Sequence, residues 1–183
     1  LHKAIRRQRQ MCIRDKGSHP SWRAENSRRE TVMSTTIIEA LFEYFAACPL
    51  ITDNRLNIDY LPEDTSQAGV EYSIGTTPAN EVVRQYKDGG QLCRYVFVIS
   101  SVNDYGPDTA QNMLNTGFAE KLSEWIRRQS RMRKLPDLPD GLSAQRIKVL
   151  GPGYLYVPDI NSGKYQIQCE LEYYRKGDMY EIK

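Results

Sequence analysis

Leu92-Cys93-Arg94-Tyr95-Val96-Phe97-Val98-Ile99-Ser100-Ser101-Val102 is the stretch on which the fold turns. Tyr95, Phe97 and Ile99 alternate with Val96 and Val98, so an extended chain here is apolar on both sides. A β-branched and aromatic run with two apolar faces belongs in the middle of a sheet. Just before it, Lys87-Asp88-Gly89-Gly90 is a tight-turn signal, so a segment around residues 82–86 is expected to fold back on this strand. Further out, Tyr165, Ile167, Cys169, Leu171 and Tyr173 recur at every second position, which predicts a long strand over 164–175 with one buried face. Shorter strands are expected at 56–61, 70–75, 146–150 and 154–157, the last two around the turn Gly151-Pro152-Gly153.

Two helices complete the pattern. Ser34-Thr35-Thr36 offers a choice of N-caps, and Glu39 lies three residues after Thr36. Ile37, Ile38, Leu41, Phe42, Phe45 and Ala46 follow at helical spacing, and Pro49 closes a helix over about 35–47. A second helix is predicted over 109–131, with Met113, Leu114, Gly117, Phe118, Leu122, Trp125 and Ile126 as its inner stripe. Phe118 and Trp125 are expected to lie buried under it, against the strand around Phe97. Residues 135–141, rich in Pro and Asp, read as an irregular crossing. The order helix, strands, helix, strands gives an α+β fold, a mixed β-sheet covered by two helices.

The first 32 residues are unlike the rest. Residues 6–15, Arg-Arg-Gln-Arg-Gln-Met-Cys-Ile-Arg-Asp, have no apolar period, and read back through the genetic code they resemble a sequencing-library transposon adapter. Arg28-Arg29 fits a translated ribosome-binding site, with Glu30-Thr31-Val32 as spacer before Met33. The expectation is a non-native leader over 1–32, irregular in structure, and a single α+β domain over 33–183. A basic arm for nucleic acid or an anionic membrane is the other reading of the leader.

The leader also distorts the charge. The whole chain carries 25 Lys and Arg against 23 Asp and Glu. Nine of the bases and three of the acids lie in 1–32, which leaves sixteen against twenty, or about −4, in 33–183. A basic overall pI is therefore no argument for a nucleic-acid partner. Both histidines, His2 and His19, belong to the leader, so residues 33–183 lack the commonest general base and zinc ligand. Cys48, Cys93 and Cys169 are widely spaced and sit among apolar residues, as reduced buried thiols do. No apolar run reaches membrane-spanning length, and a soluble protein is expected.

Candidate chemistry is sparse. Gly151-Pro152-Gly153 is followed by no Gly-Lys-Ser or Gly-Lys-Thr, so it is a turn and not a phosphate loop. Glu63 with Asp64, and Asp137 with Asp140, sit in Pro-rich loops where acids commonly form turns. Asp53 with Asn54, and Asn103 with Asp104, lack the spacing of a calcium loop. No catalytic residue, cofactor site or metal site is expected. The basic run Arg127, Arg128, Arg131, Arg133, Lys134, with Arg146 beyond the crossing, is different. It is either a solvated helix end, where positive charge suits the helix dipole, or a contact surface for an acidic subunit edge or a phosphate backbone. Eleven of the twelve tyrosines lie from Tyr60 to Tyr180, and tyrosine is a favoured interface residue, which supports contact.

Several runs carry a family resemblance: Ser73-Ile74-Gly75-Thr76-Thr77-Pro78-Ala79-Asn80, Tyr86-Lys87-Asp88-Gly89-Gly90, Arg94-Tyr95-Val96-Phe97, Tyr105-Gly106-Pro107-Asp108, Asn112-Met113-Leu114-Asn115-Thr116-Gly117-Phe118 with Glu124-Trp125, and Lys164-Tyr165-Gln166-Ile167-Gln168-Cys169. Together they resemble the minor capsid, head–tail connector proteins of phages and prophages of Firmicutes, over most of 33–175. The resemblance implies a tail-terminator-like fold and a structural role in the virion, head–tail joining or tail completion by a self-assembled ring, typically of six subunits. It implies as partners other copies of the chain, the tail tube and head connector proteins, with no membrane and no sequence-specific nucleic acid, and as location the virion, after the host cytoplasm. On this reading Arg127, Arg128, Arg131 and Arg133 form one contact surface, and the acidic loops at Glu63-Asp64 and Asp137–Asp140, or an acidic tail tube, its counterpart. The other reading is a small-molecule acyltransferase-type enzyme, a label that some relatives carry. The familiar mechanism of that class requires a histidine base, and 33–183 has none.

Overall fold

A computed structural model of the chain describes residues 36–51, 56–61, 70–104, 106–158 and 162–177. The chain separates into two units, Leu1–Val32 and Met33–Lys183, and the description concerns the second. The expectations for the leader lie outside the described residues, as do Asp53, Asn54, Glu63 and Asp64.

The elements run α1 (Ile37–Ala46), β1 (Leu56–Ile58), β2 (Glu71–Thr76), β3 (Val82–Gln85), β4 (Gln91–Asp104), α2 (Thr109–Arg131), β5 (Leu142–Val149), β6 (Tyr154–Pro158) and β7 (Ser162–Arg175). The fold is α+β, with one mixed sheet of seven strands and two helices among the described residues. Local chemistry sets the helix starts. The Thr36 hydroxyl accepts from the Glu39 amide at 3.3 Å, while the Glu39 carboxylate accepts from the Thr36 amide at 3.1 Å. Asp108 caps α2 by accepting from the Ala110 amide at 2.9 Å.

The sheet order is β1-β2-β4-β7-β5, with β3 beside β4 and β6 beside β7. Its spine is the antiparallel pair β4 and β7, in unbroken register from Gln91 opposite Arg175 to Asp104 opposite Ser162. β1 runs parallel to β2, and the other pairs are antiparallel. The turn before β4 forms as its residues require. Gly89 has φ of 82°, in the left-handed region open to glycine, and the Tyr86 amide donates to the Gly90 carbonyl at 2.8 Å.

Both helices lie on one face of the sheet. Phe45 of α1 packs on Phe97 of β4 at 5.8 Å between ring centroids and on Trp125 of α2 at 5.9 Å. Beneath them Phe97, Ile99, Ile147, Ile167, Cys169, Leu171 and Tyr173 are all buried. Every residue of the predicted stripe Tyr165, Ile167, Cys169, Leu171, Tyr173 faces this core.

The stripe predicted for α2 is partly corrected. Met113 and Leu114 are exposed, at 70% and 66%, and the buried residues are Asn115, Ala119, Leu122, Ser123 and Ile126. The cause is close approach. A Cβ on Gly153 would stand 2.4 Å from the Ala119 Cβ, so the turn between β5 and β6 touches the helix where only a small side chain fits. The small and polar side of α2 therefore turns inward along its first half, and the larger side chains turn out. Trp125 and Phe118 are half-buried, not fully buried, and neither stacks on Phe97. Trp125 sits against Tyr44 of α1 at 5.3 Å, and Phe118 against Tyr72 of β2 at 5.1 Å.

Candidate interface at the basic end of α2

α2 ends in a Schellman motif built on an arginine. Met132 is the C-cap, and Arg133 follows with φ of 57°. The Lys134 amide donates to the Gln129 carbonyl at 3.0 Å and the Arg133 amide to the Ser130 carbonyl at 3.2 Å. This position favours glycine, because a side chain in the left-handed region costs about 1 kcal/mol. In return the Arg133 guanidinium reaches the Gln145 carbonyl at 3.0 Å. Gln145 lies where the register of β5 shifts between Ala144 and Arg146, a bulge that leaves a backbone carbonyl out of the ladder.

The bond ties the helix end to the outer strand, and a groove runs between them. Arg127, Arg131, Arg133, Arg146 and Lys148 line it, with Glu124 and Glu172 as its acids. Both acids are engaged already. Glu124 holds Arg131 at 3.1 Å and Arg127 at 3.8 Å, and Glu172 accepts from Lys148 at 2.6 Å. The groove continues along Thr116, Ala119, Glu120 and Ser123 of α2 to Gly151 and Gly153.

The arginines singled out in the sequence thus fall into two groups. Arg127, Arg131, Arg133 and Arg146 meet at one groove. Arg128 is exposed but does not line it, and exposed Lys134 gives its carbonyl to the Tyr44 hydroxyl at 3.2 Å. Arg128 lies outside the groove because residues one apart on a helix point about 100° from each other. Asp137 and Asp140 are exposed, and Asn103 is buried. No family model matches this chain, and no curated protein matches it either.

Two charged clusters escaped sequence reasoning because each depends on strand register. On the sheet face away from the helices, Lys148 of β5 bridges Glu170 at 2.8 Å and Glu172 at 2.6 Å, both on β7. Glu170 is buried, and its hydrogen bond and that of Glu172 hold the Lys148 ammonium above the usual lysine range. At the far end of β7, Arg175 pairs with Glu81 and stacks over the Tyr173 ring at 5.9 Å. The Tyr173 hydroxyl donates to Glu81, and this bond foremost, with Arg175 beside it, holds the Glu81 carboxyl below its ordinary value. Burial foremost, then Glu81, pushes the Tyr173 phenol up.

The thiols are buried and free. Burial raises Cys48, Cys93 and Cys169 above the ordinary thiol value, which suppresses the thiolate that nucleophilic chemistry needs. Among the described residues no group of three His, Cys, Asp or Glu side chains is placed to hold a metal ion. What the site offers is a row of cations beside an outer strand, an arrangement suited to binding a polymer or a protein edge.

Proposed function

We propose that this chain is a structural subunit of a tailed-phage or prophage particle, acting in head–tail joining or tail completion by assembling into a ring. Its partners are other copies of itself, the tail tube and the head connector, and its place is the virion after assembly in the host cytoplasm. The sequence runs that resemble minor capsid proteins support this reading. The structural observation that carries it is the state of the sheet's margins. β5 has no strand on its outer side among the described residues, and β3 is exposed along its whole length, with Val82 at 45% and Val83 at 51%. An isolated protein normally blunts such edges. A ring needs them, because each subunit must present two different surfaces that fit head to tail. Turnover has less support, since residues 33–183 hold no histidine and their thiols are suppressed by burial.

The test is the mass and shape of the purified full chain, alone and with tail tubes, by light scattering and negative-stain microscopy. Closed rings, free or seated on tube ends, are expected. A chain that stays monomeric in both conditions would sink the proposal.

A further inference from the structure

We infer that the outer edge of β5 is the contact that closes the ring, and that its occupant is the β1 edge of a second copy of this chain, so that the sheet continues from subunit to subunit. The inference rests on the ring reading and adds the surfaces that carry it.

The backbone supplies the first argument. The Leu150 amide donates to the Gln168 carbonyl on β7 at 2.9 Å. In an antiparallel ladder the hydrogen-bonding direction alternates. Arg146 and Lys148 therefore face β7, while Ile147 and Val149 turn both N–H and C=O outward, with no strand beside them among the described residues. At the other margin the Asp59 amide donates to the Ile74 carbonyl at 3.0 Å, so Asn57 and Asp59 bond to β2 and Ile58 turns its groups outward. Each margin thus presents outward backbone donors and acceptors with no strand partner among the described residues.

Side chains supply the second argument. Ile147 and Val149 stand on the helix-covered face of the sheet, opposite Leu171 and Cys169. Leu56 and Ile58 stand on the same face, opposite Tyr72 and Ile74. Joining the two edges sets Ile147 and Val149 beside Leu56 and Ile58, and covers Ile58, which is 40% exposed. Cross-strand apolar neighbours of this kind stabilise a sheet. The charges also match. The β5 margin carries Arg127, Arg131, Arg133, Arg146 and Lys148 against Glu124 and Glu172, so cations stay in excess there and Arg133 and Arg146 have no acid among these two. At the β1 margin Asp59 follows the strand and the Glu71 carboxylate accepts from the Asn57 side chain at 3.1 Å. Opposite charge at two different margins favours a heterologous contact and disfavours pairing of like edges. Asp59 and Glu71 thus join the acidic counterpart expected at Glu63 and Asp64, which lie outside the described residues.

The test uses proline, which removes one N–H, and at an outward position leaves the existing ladder intact. Val149→Pro and Ile58→Pro each block one margin, and Val149→Ala is the control that keeps the N–H. Arg146→Glu reverses charge at β5 without touching the backbone. Thermal melts verify folding, and if either proline variant fails to fold, Arg146→Glu decides. In sedimentation at low salt, Val149→Pro, Ile58→Pro and Arg146→Glu should each raise the concentration for half-assembly at least about tenfold, as loss of a central contact does. Val149→Ala keeps the N–H and loses only side-chain contact, so it should weaken assembly by a clearly smaller factor than Val149→Pro does. An equimolar mixture of the two proline variants should stop at a dimer, because only one good pair of edges remains. Rings of undiminished stability from Val149→Pro or Arg146→Glu would overturn the inference and leave the ring reading standing. A wild-type chain that stays monomeric even with tail tubes would overturn both.

Discussion

The two faces of the sheet are made from the same strands and held by different forces. On the helix-covered face, Phe97, Ile99, Leu171 and Tyr173 are buried beneath α1 and α2. On the other, among the described residues, no helix lies over β4 and β7, and the central feature is Lys148 between Glu170 and Glu172. The first face gains stability from apolar area removed from water, which is large and insensitive to pH. The second gains it from a polar cluster in which one cation keeps a buried carboxylate from standing alone. One face therefore fixes whether the chain folds, and the other tunes how stable it is in given conditions.

Substitutions on the covered face should have the largest effects. Phe97→Ala should cost about 3–5 kcal/mol in denaturant unfolding, since the ring is fully buried against Phe45. A cost under about 1 kcal/mol would show that the helices do not pack there in solution. Trp125→Ala should cost less, about 2–3 kcal/mol, because the ring is half-buried between the helices. If it cost as much as Phe97→Ala, the contact between the helices would matter as much as their seat on the sheet.

On the open face Lys148→Met should cost about 2 kcal/mol at neutral pH, by leaving Glu170 without its cation. The sign with pH follows from the raised lysine value. The contribution is complete below the unfolded pKa and is lost as pH rises through the folded one. The difference between wild type and variant should therefore close only above the usual lysine range, and a difference constant through that range would exclude Lys148 as its source. The smallest effect is expected at the rim, where Glu81 is largely exposed. Its carboxyl is lowered, so its contribution is present above the ordinary carboxylate pKa and fades as pH falls through the folded value. Glu81→Gln should lower the melting temperature slightly at neutral pH and match the wild type in strong acid.

The sequence was most legible where one period governs a whole element. The alternation from Tyr165 to Tyr173 and the run around Phe97 lie on β7 and β4, and α2 spans the predicted 109–131. β5 begins at Leu142, ahead of the predicted 146, because the bulge at Gln145 breaks the alternation that would have marked it. Met113 and Leu114 look like core on an isolated helix. Only the contact of Gly153 with Ala119, across the fold, shows why they are not. The arginine groove was half legible. Helical spacing groups Arg127 with Arg131, and Arg146 was already in the sequence cluster, but only the left-handed turn at Arg133 and the bulge it reaches show how Arg133 and Arg146 come to line one groove without Arg128.

The unbroken pairing of β4 with β7 also has a consequence for how fast the chain folds. Gln91 and Arg175, which meet at one end of the ladder, are 84 residues apart. Closing so long a loop costs conformational entropy before any ladder bond compensates for it, and non-local pairing of this kind slows folding. α2 and the β3–β4 hairpin are local and can form within about 10 µs. The β5 margin hangs on this spine, so in a nascent chain it acquires its shape only after residue 175 has been made.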